Sequence, residues 1–351
     1  FSSFLAKFPL ILLVFAATIS IFISSNTTAA LGLWKAYFVE PILFFVALKI
    51  ILKTEKDKEV LAWSLGISAG LISLYAIFQK FTGFGIAEPS WVGAASRRVT
   101  AFFTSPNAVG LFLGPILVLL LGWPRIKNAK LKMQNLGVAS RLFFIIIIAL
   151  AIWFTKSEGT MIGVLAGVLF LLFFGFSKKW TLMLVIISIM AVALMPAARN
   201  KAISTLSFSD QAGQNRIALW QGALDYLTAS PKNFIFGAGI FGFPEVQQQF
   251  RNPATTEPLI YPHNIFLNFW MEAGLTGLIA FIWIIFITFK TKQQKKLPIT
   301  NYQLPSSSHL TTYSLLTAAA LIVMIVHGLV DVPYFKNDLA ILFWVILSLE
   351  K

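Results

Sequence analysis

The chain has no cysteine in 351 residues, which excludes a disulfide framework, thiolate catalysis and any cysteine-held metal. It is also poor in charge: Asp, Glu, Lys and Arg make up 12% of residues, about half of what a soluble domain carries. No Gly-x-x-x-x-Gly-Lys loop is present, so the usual sequence sign of ATP-driven transport is missing. No pair of acids in the long polar connections has metal-site spacing. Neither a metal nor a cofactor is therefore expected. The short alternating segments of a transmembrane barrel are missing too.

What is present is apolar sequence in long runs. Hydrophobic residues reach 57%, the mean hydropathy is +0.78, and the runs approach the roughly 20 residues that a helix needs to cross a bilayer. The expected fold is all-α: a polytopic transmembrane helical bundle of about ten spans, at 4–23, 33–52, 60–81, 108–123, 142–155, 161–176, 180–197, 265–289, 313–330 and 339–349. The first has Lys7 as its one charge and reads as a span, not a cleaved signal. The chain begins at Phe1 instead of Met, so a missing N-terminal stretch is expected.

The net charge of +14 invites a nucleic-acid reading, but its distribution gives a simpler cause. With Lys7 placed inside, the inner connections hold 17 basic residues against 4 acids, a bias that sets orientation in membrane proteins. No nucleic-acid partner is expected. This alternation puts 198–262 outside as a large extracytoplasmic loop. Within it Ile217, Trp220, Leu224 and Leu227 form one apolar stripe of an amphipathic helix, closed by Ser230-Pro231. A second outer connection, 82–107, carries Trp91, Arg97 and Arg98. The inner connection 298–310, which includes His309, reads as a flexible linker.

Candidate chemistry crowds at the outer side. His263 stands where the large loop meets a span; an imidazole there can take a proton or simply orient the helix start. Arg216, one turn before Trp220, can grip a diphosphate with two parallel hydrogen bonds or contact lipid phosphates. Arg97 and Arg98 run against the positive-inside bias, so something negative should hold at least one. Asn107 is the expected N-cap of the span that follows. Gly237, Gly239 and Gly242 permit tight backbone and a close approach to a ligand. Glu272 is an intramembrane acid, on one face with Asn264 and Asn268, so a polar seam is an equal reading. His327 and Asp331 are four apart and read as a structural pair. Glu158 falls in a short outer turn.

Four segments resemble the O-antigen ligase and O-antigen polymerase family of bacterial membrane glycosyltransferases. They are 98–107, with Arg98 and Ser105-Pro106-Asn107; 215–220 with the glycine turn 237–242; 262–277, which opens on Pro262-His263-Asn264; and 327–331, His327-Gly328-Leu329-Val330-Asp331. The resemblance implies a domain at 97–351 following N-terminal spans at 1–96. It also implies residence in the bacterial plasma (inner) membrane, with a multi-pass chain and a site facing the periplasm or cell exterior. The donor would be an undecaprenyl-diphosphate-linked glycan, the acceptor a lipid or another glycan, and the transfer metal-independent and inverting. His263 would be the base. Arg98 and Arg216 would hold the diphosphate, and Asn264, Glu272, Gly237 and Gly239 would complete the substrate site. Membrane lipids are the other expected partners, with no obligate protein partner evident. One departure is Ser157-Glu158-Gly159, where the family often has Ser-Arg-Gly. The alternative readings are a transporter of a small solute or lipid-linked glycan, or a membrane scaffold.

Overall fold

A computed structural model describes residues 4–123, 134–251, 259–290 and 312–350. Among them all regular structure is helical, with no strand. Each of the ten apolar runs is a helix. Four are long and apolar enough to cross a membrane, Thr27–Ile51, Glu55–Thr82, Glu158–Gly175 and Ile265–Phe289, and several shorter apolar helices join them. The protein is therefore a polytopic helical membrane protein. The expected linker 298–310, with His309, lies outside the described residues.

The helix ends follow from local chemistry. We number the helices α1 (Phe4–Ile23), α2 (Thr27–Ile51), α3 (Glu55–Thr82), α4 (Pro106–Gly122), α5 (Gln134–Thr155), α6 (Glu158–Gly175), α7 (Lys178–Leu194), α8 (Pro196–Leu206), α9 (Gln211–Thr228), α10 (Pro231–Phe236), α11 (Phe243–Phe250), α12 (Ile265–Phe289), α13 (Thr312–Gly328) and α14 (Asn337–Ser348). Thr54 and Asp57 form a reciprocal capping box at the start of α3. Ser105, not Asn107, caps α4: its side chain accepts from Ala108 N, with Pro106 in the first turn. Asn107 is already inside the helix, and its Oδ1 accepts from Arg98 Nη2 at 3.1 Å. The chain divides into two compact units, one of Phe1–Ile42, Phe176–Ile287 and Gly328–Asn337, the other of Leu43–Gly175, Thr288–His327 and Asp338–Lys351.

In the second unit, α3 packs on α5, and α4 packs on both α5 and α6. Small residues set the approach, as membrane bundles require. A side chain at Gly163 or Gly167 of α6 would meet the backbone carbonyls of Val323 or Ala319 on α13. Both adjacent arginines donate to carbonyls at helix ends. Arg97 Nη1 donates to Lys80 O in the last turn of α3 at 2.9 Å, and Arg98 Nε donates to Thr155 O, the last residue of α5, at 2.9 Å. Each guanidinium sits at the negative end of a helix dipole.

In the first unit, the loop 198–262 holds α8 to α11, and its core is Leu219, Ala223, Leu227, Ala238, Phe243, Val246 and Met271. The amphipathic α9 exists and Ser230-Pro231 closes it, Ser230 going on to cap α10. Its packed face is turned from the expected one, because Leu219, Ala223 and Leu227 are buried while Leu224 is 41% exposed. Small residues explain the shift: the ring of Phe250 lies where a side chain on Gly222 would be, so α9 buries the face that lets a neighbour come closest.

Two irregular turns complete this unit. Within α2, Lys35–Val39 form a π-helical turn. Asn337 Nδ2 donates to Ala36 O at 3.1 Å and to Glu40 Oε2 at 2.9 Å, while Tyr334 Oη donates to Tyr37 O at 2.9 Å. Tyr334 and Phe335 pack with Phe38 and with Phe269 of α12, which fixes the segment after α13. The other is a break in α12 at Gly274, with φ 68° and ψ 179°.

Candidate functional site

The glycine turn closes on that break. Ala238 N donates to Met271 O at 2.7 Å, Trp270 Nε1 donates to Phe234 O at 2.7 Å, and the Ser20 hydroxyl of α1 donates to Glu272 O. The Glu272 side chain is buried and its Oε2 accepts from Phe241 N at 3.1 Å. Carbonyls beside a helix break need other donors, and the turn supplies them. Gly237 and Gly239 have φ of +69° and +82°, a region that side chains disfavour. A Cβ on Gly237 would run into the carbonyls of Trp270 and Met271, and one on Gly239 into the backbone of Ser24 and Ser20. The close approach these glycines make is to the chain's own backbone. Gly237→Ala should therefore destabilise the protein by about 1–3 kcal/mol from backbone strain alone. Thermal unfolding in detergent measures this, and an unchanged midpoint would sever the turn from the break.

A second cluster gathers at the start of α12, on the three residues Leu329, Val330 and Asp331. Asn264 caps α12, accepting from Phe266 N and Leu267 N at 3.0 and 3.1 Å, and its Nδ2 donates to Leu329 O at 3.1 Å. Arg216 Nε on α9 donates to Val330 O at 3.1 Å. His263 Nδ1 lies 3.3 Å from Asp331 Oδ1, within ion-pair reach but off the direction of a formed hydrogen bond. The Asp331 side chain is only 5% exposed and that of His263 is 20% exposed. Val332 N donates to the same Asp331 oxygen at 2.9 Å, fixing the carboxylate. His263 itself has φ +51°, an uncommon conformation for a non-glycine residue that concentrates at functional sites.

This geometry divides the work of one cluster. With Nδ1 turned to a carboxylate, His263 has Nε2 left for a proton from another molecule. Arg216 is anchored through Nε, and its two terminal nitrogens have no hydrogen-bond partner among the described residues. That is the fork that suits a phosphate.

The structure thus brings Arg216, His263 and Asn264 together on 329–331, and brings Gly237, Gly239 and Glu272 together at the helix break. Arg98 belongs to the other unit, held by Asn107 and Thr155, with the Trp91 ring 5.9 Å from its guanidinium. Glu158 is exposed in the first turn of α6, where a carboxylate favours the helix dipole. Sequence reasoning missed Asp331 as the partner of His263. The four-residue spacing pointed to His327; α13 ends at Gly328, and the segment after it sets Asp331 against His263. His327 Nδ1 sits 3.4 Å from Thr160 Oγ1.

These features define a polytopic membrane protein with a histidine, a carboxylate and an arginine gathered by one polar loop. Residues 142–282 match the family model described as O-antigen ligase, in keeping with the resemblance that the sequence segments carry. The matched segment contains Arg216, His263, Asn264 and Glu272, while Arg98 and Asp331 fall outside it. The chain is also similar to an uncharacterized protein of Haemophilus influenzae, 25% identical over 322 residues that cover 85% of this chain and 72% of the relative.

Proposed function

We propose that the protein transfers or polymerises a glycan from an undecaprenyl-diphosphate-linked donor at the outer face of the bacterial plasma membrane. The observation that carries this reading is the shared footing of Arg216 and His263 on consecutive residues, Val330 and Asp331. That footing supports the reading of Arg216 as a diphosphate ligand with His263 beside it as the base. In the step we propose, an acceptor hydroxyl attacks the anomeric carbon on the face opposite the diphosphate. The bond from that carbon to the diphosphate oxygen breaks, and its electron pair leaves with the polyprenyl diphosphate. His263 Nε2 takes the hydroxyl proton, and Asp331 steadies the imidazolium. Arg216 meets the charge that grows on the leaving diphosphate, as fixed positive charge does at such centres, with Arg98 as the second arginine that the family resemblance assigns to this role. The reaction inverts the anomeric centre and uses no metal.

Turnover of lipid-linked glycan in membranes with no imposed ion gradient tests this. Transfer without a gradient supports an enzyme. Glycan movement that needs the gradient would favour transport, the second reading, which the break at Gly274 beside buried Glu272 supports, since transporters place their sites at interrupted helices.

Orientation is a separate expectation. The chain has no cysteine, so single cysteines can be read without background. One at Gln248, exposed on α11, should react with an impermeant thiol reagent in intact spheroplasts. One at Lys56, exposed in the first turn of α3, should react only after the membrane is opened. The reverse pattern would move the site to the cytoplasm.

A further inference from the structure

Asn264, Asn268 and Glu272 follow at intervals of four along α12, so they share one stripe, with Cβ atoms of successive members roughly 5–6 Å apart. Both ends of the stripe are provided for. Asn264 is bonded through its oxygen and its nitrogen, and Glu272 accepts from Phe241 N. Asn268 between them is fully buried, at 0% exposure. Neither its amide nitrogen nor its amide oxygen has a hydrogen-bond partner among the described residues.

In a membrane span such an amide is costly, because no bulk water reaches it to replace the missing bonds. Native proteins pair buried polar groups with protein or with an ordered water. The spacing to Glu272, one turn on, suits a bridge by a single small molecule. An amide offers one kind of donor and one kind of acceptor. A cation would leave the nitrogen orphaned and an anion would leave the oxygen orphaned, whereas water answers both.

We propose that Asn268 and Glu272 hold an internal water molecule between them, one turn ahead of the Gly274 break. Asn268 Nδ2 donates to the water, and the water donates to Asn268 Oδ1 or to the Glu272 carboxyl group. The water makes the polar stripe continuous from Asn264, at the candidate site, to the glycine turn. The proposal stands independently of the glycan-transfer reading.

Radiolytic hydroxyl-radical footprinting of the full chain in nanodiscs tests it. A trapped water is split in place and oxidises side chains around it. Phe269 and Met271, both at 0% exposure and lying between Asn268 and Glu272 in sequence, should be oxidised in the wild type, while Trp344, also at 0%, should be spared. Asn268→Leu should lower oxidation at Phe269 and Met271 by about fivefold or more, since an apolar site of that size stays dry. Asn268→Ser keeps a hydroxyl and should retain most of the signal. Wild-type protein with no oxidation at Phe269 and Met271 would overturn the proposal, and so would oxidation that Trp344 shares equally. Oxidation undiminished in Asn268→Leu would overturn it as well. If Asn268→Leu fails to insert, the wild-type pattern together with that of Asn268→Ser still separates a trapped water from a dry site.

Discussion

Purified His263→Gln protein should transfer glycan at least roughly 100-fold more slowly than wild type while still retaining donor, on the usual contribution of a positioned base of about 10²–10⁴-fold. A sugar hydroxyl is a poor nucleophile at neutral pH, so a positioned base carries much of the rate. Glutamine fills similar space but cannot accept the proton and then carry its charge. The arginine keeps its own anchor on Val330 O, so donor binding should survive. Asp331→Asn should give a smaller loss, because it leaves the imidazole in place but removes the charge that steadies its protonated form. Transfer rate and donor retention, measured side by side in detergent, separate the outcomes. A His263→Gln protein with near wild-type transfer would place the base elsewhere. Loss of donor binding along with transfer would make His263 a diphosphate ligand.

Arg216→Ala should weaken donor binding by about 2–5 kcal/mol, the cost of losing one partner of a desolvated charge pair, or roughly 30-fold to several thousand-fold. Arg216→Lys should restore only part of this. The native guanidinium spends Nε on Val330 O and still presents two further nitrogens. An ammonium on a flexible stem cannot hold that anchor and a two-pronged grip together. Titration with a lipid-linked donor reads the effect, and unchanged affinity in Arg216→Ala would remove this residue from the diphosphate site.

The helices were legible in the sequence because long apolar runs have few alternatives in a bilayer, and every run is helical. The buried face of α9 was not, because Gly222 and Ala223 mark it by what they lack, and hydrophobic periodicity weighs only what is large. At the site, His263, Arg216 and Asn264 were readable as chemistry crowded into one loop. Their convergence on 329–331 was not, since Arg216 and Val330 are 114 residues apart. Helical spacing named His327 for Asp331, and nothing in the sequence showed that the segment after Gly328 also sets Asp331 against His263. Gly237 and Gly239 announced a close approach, but a sequence does not say to what. The broken helix they meet became visible only through the φ of Gly274.

The π-helical turn at Lys35–Val39 has a consequence for the phase of α2. A π turn is one residue wound into an α-helix that has no room for it in regular register. Deleting a single residue from this turn should thus leave a smooth helix and not a broken one, but everything on one side of it would be rotated by about 100° against the other, the angle of one helical step. Ala36, Tyr37 and Glu40 now meet Asn337 and Tyr334 together, and the deletion would turn the residues after it by that step against these partners. The surplus residue goes with a widened turn at which α2 offers the carbonyls of Ala36 and Tyr37 to the segment that carries Asp331.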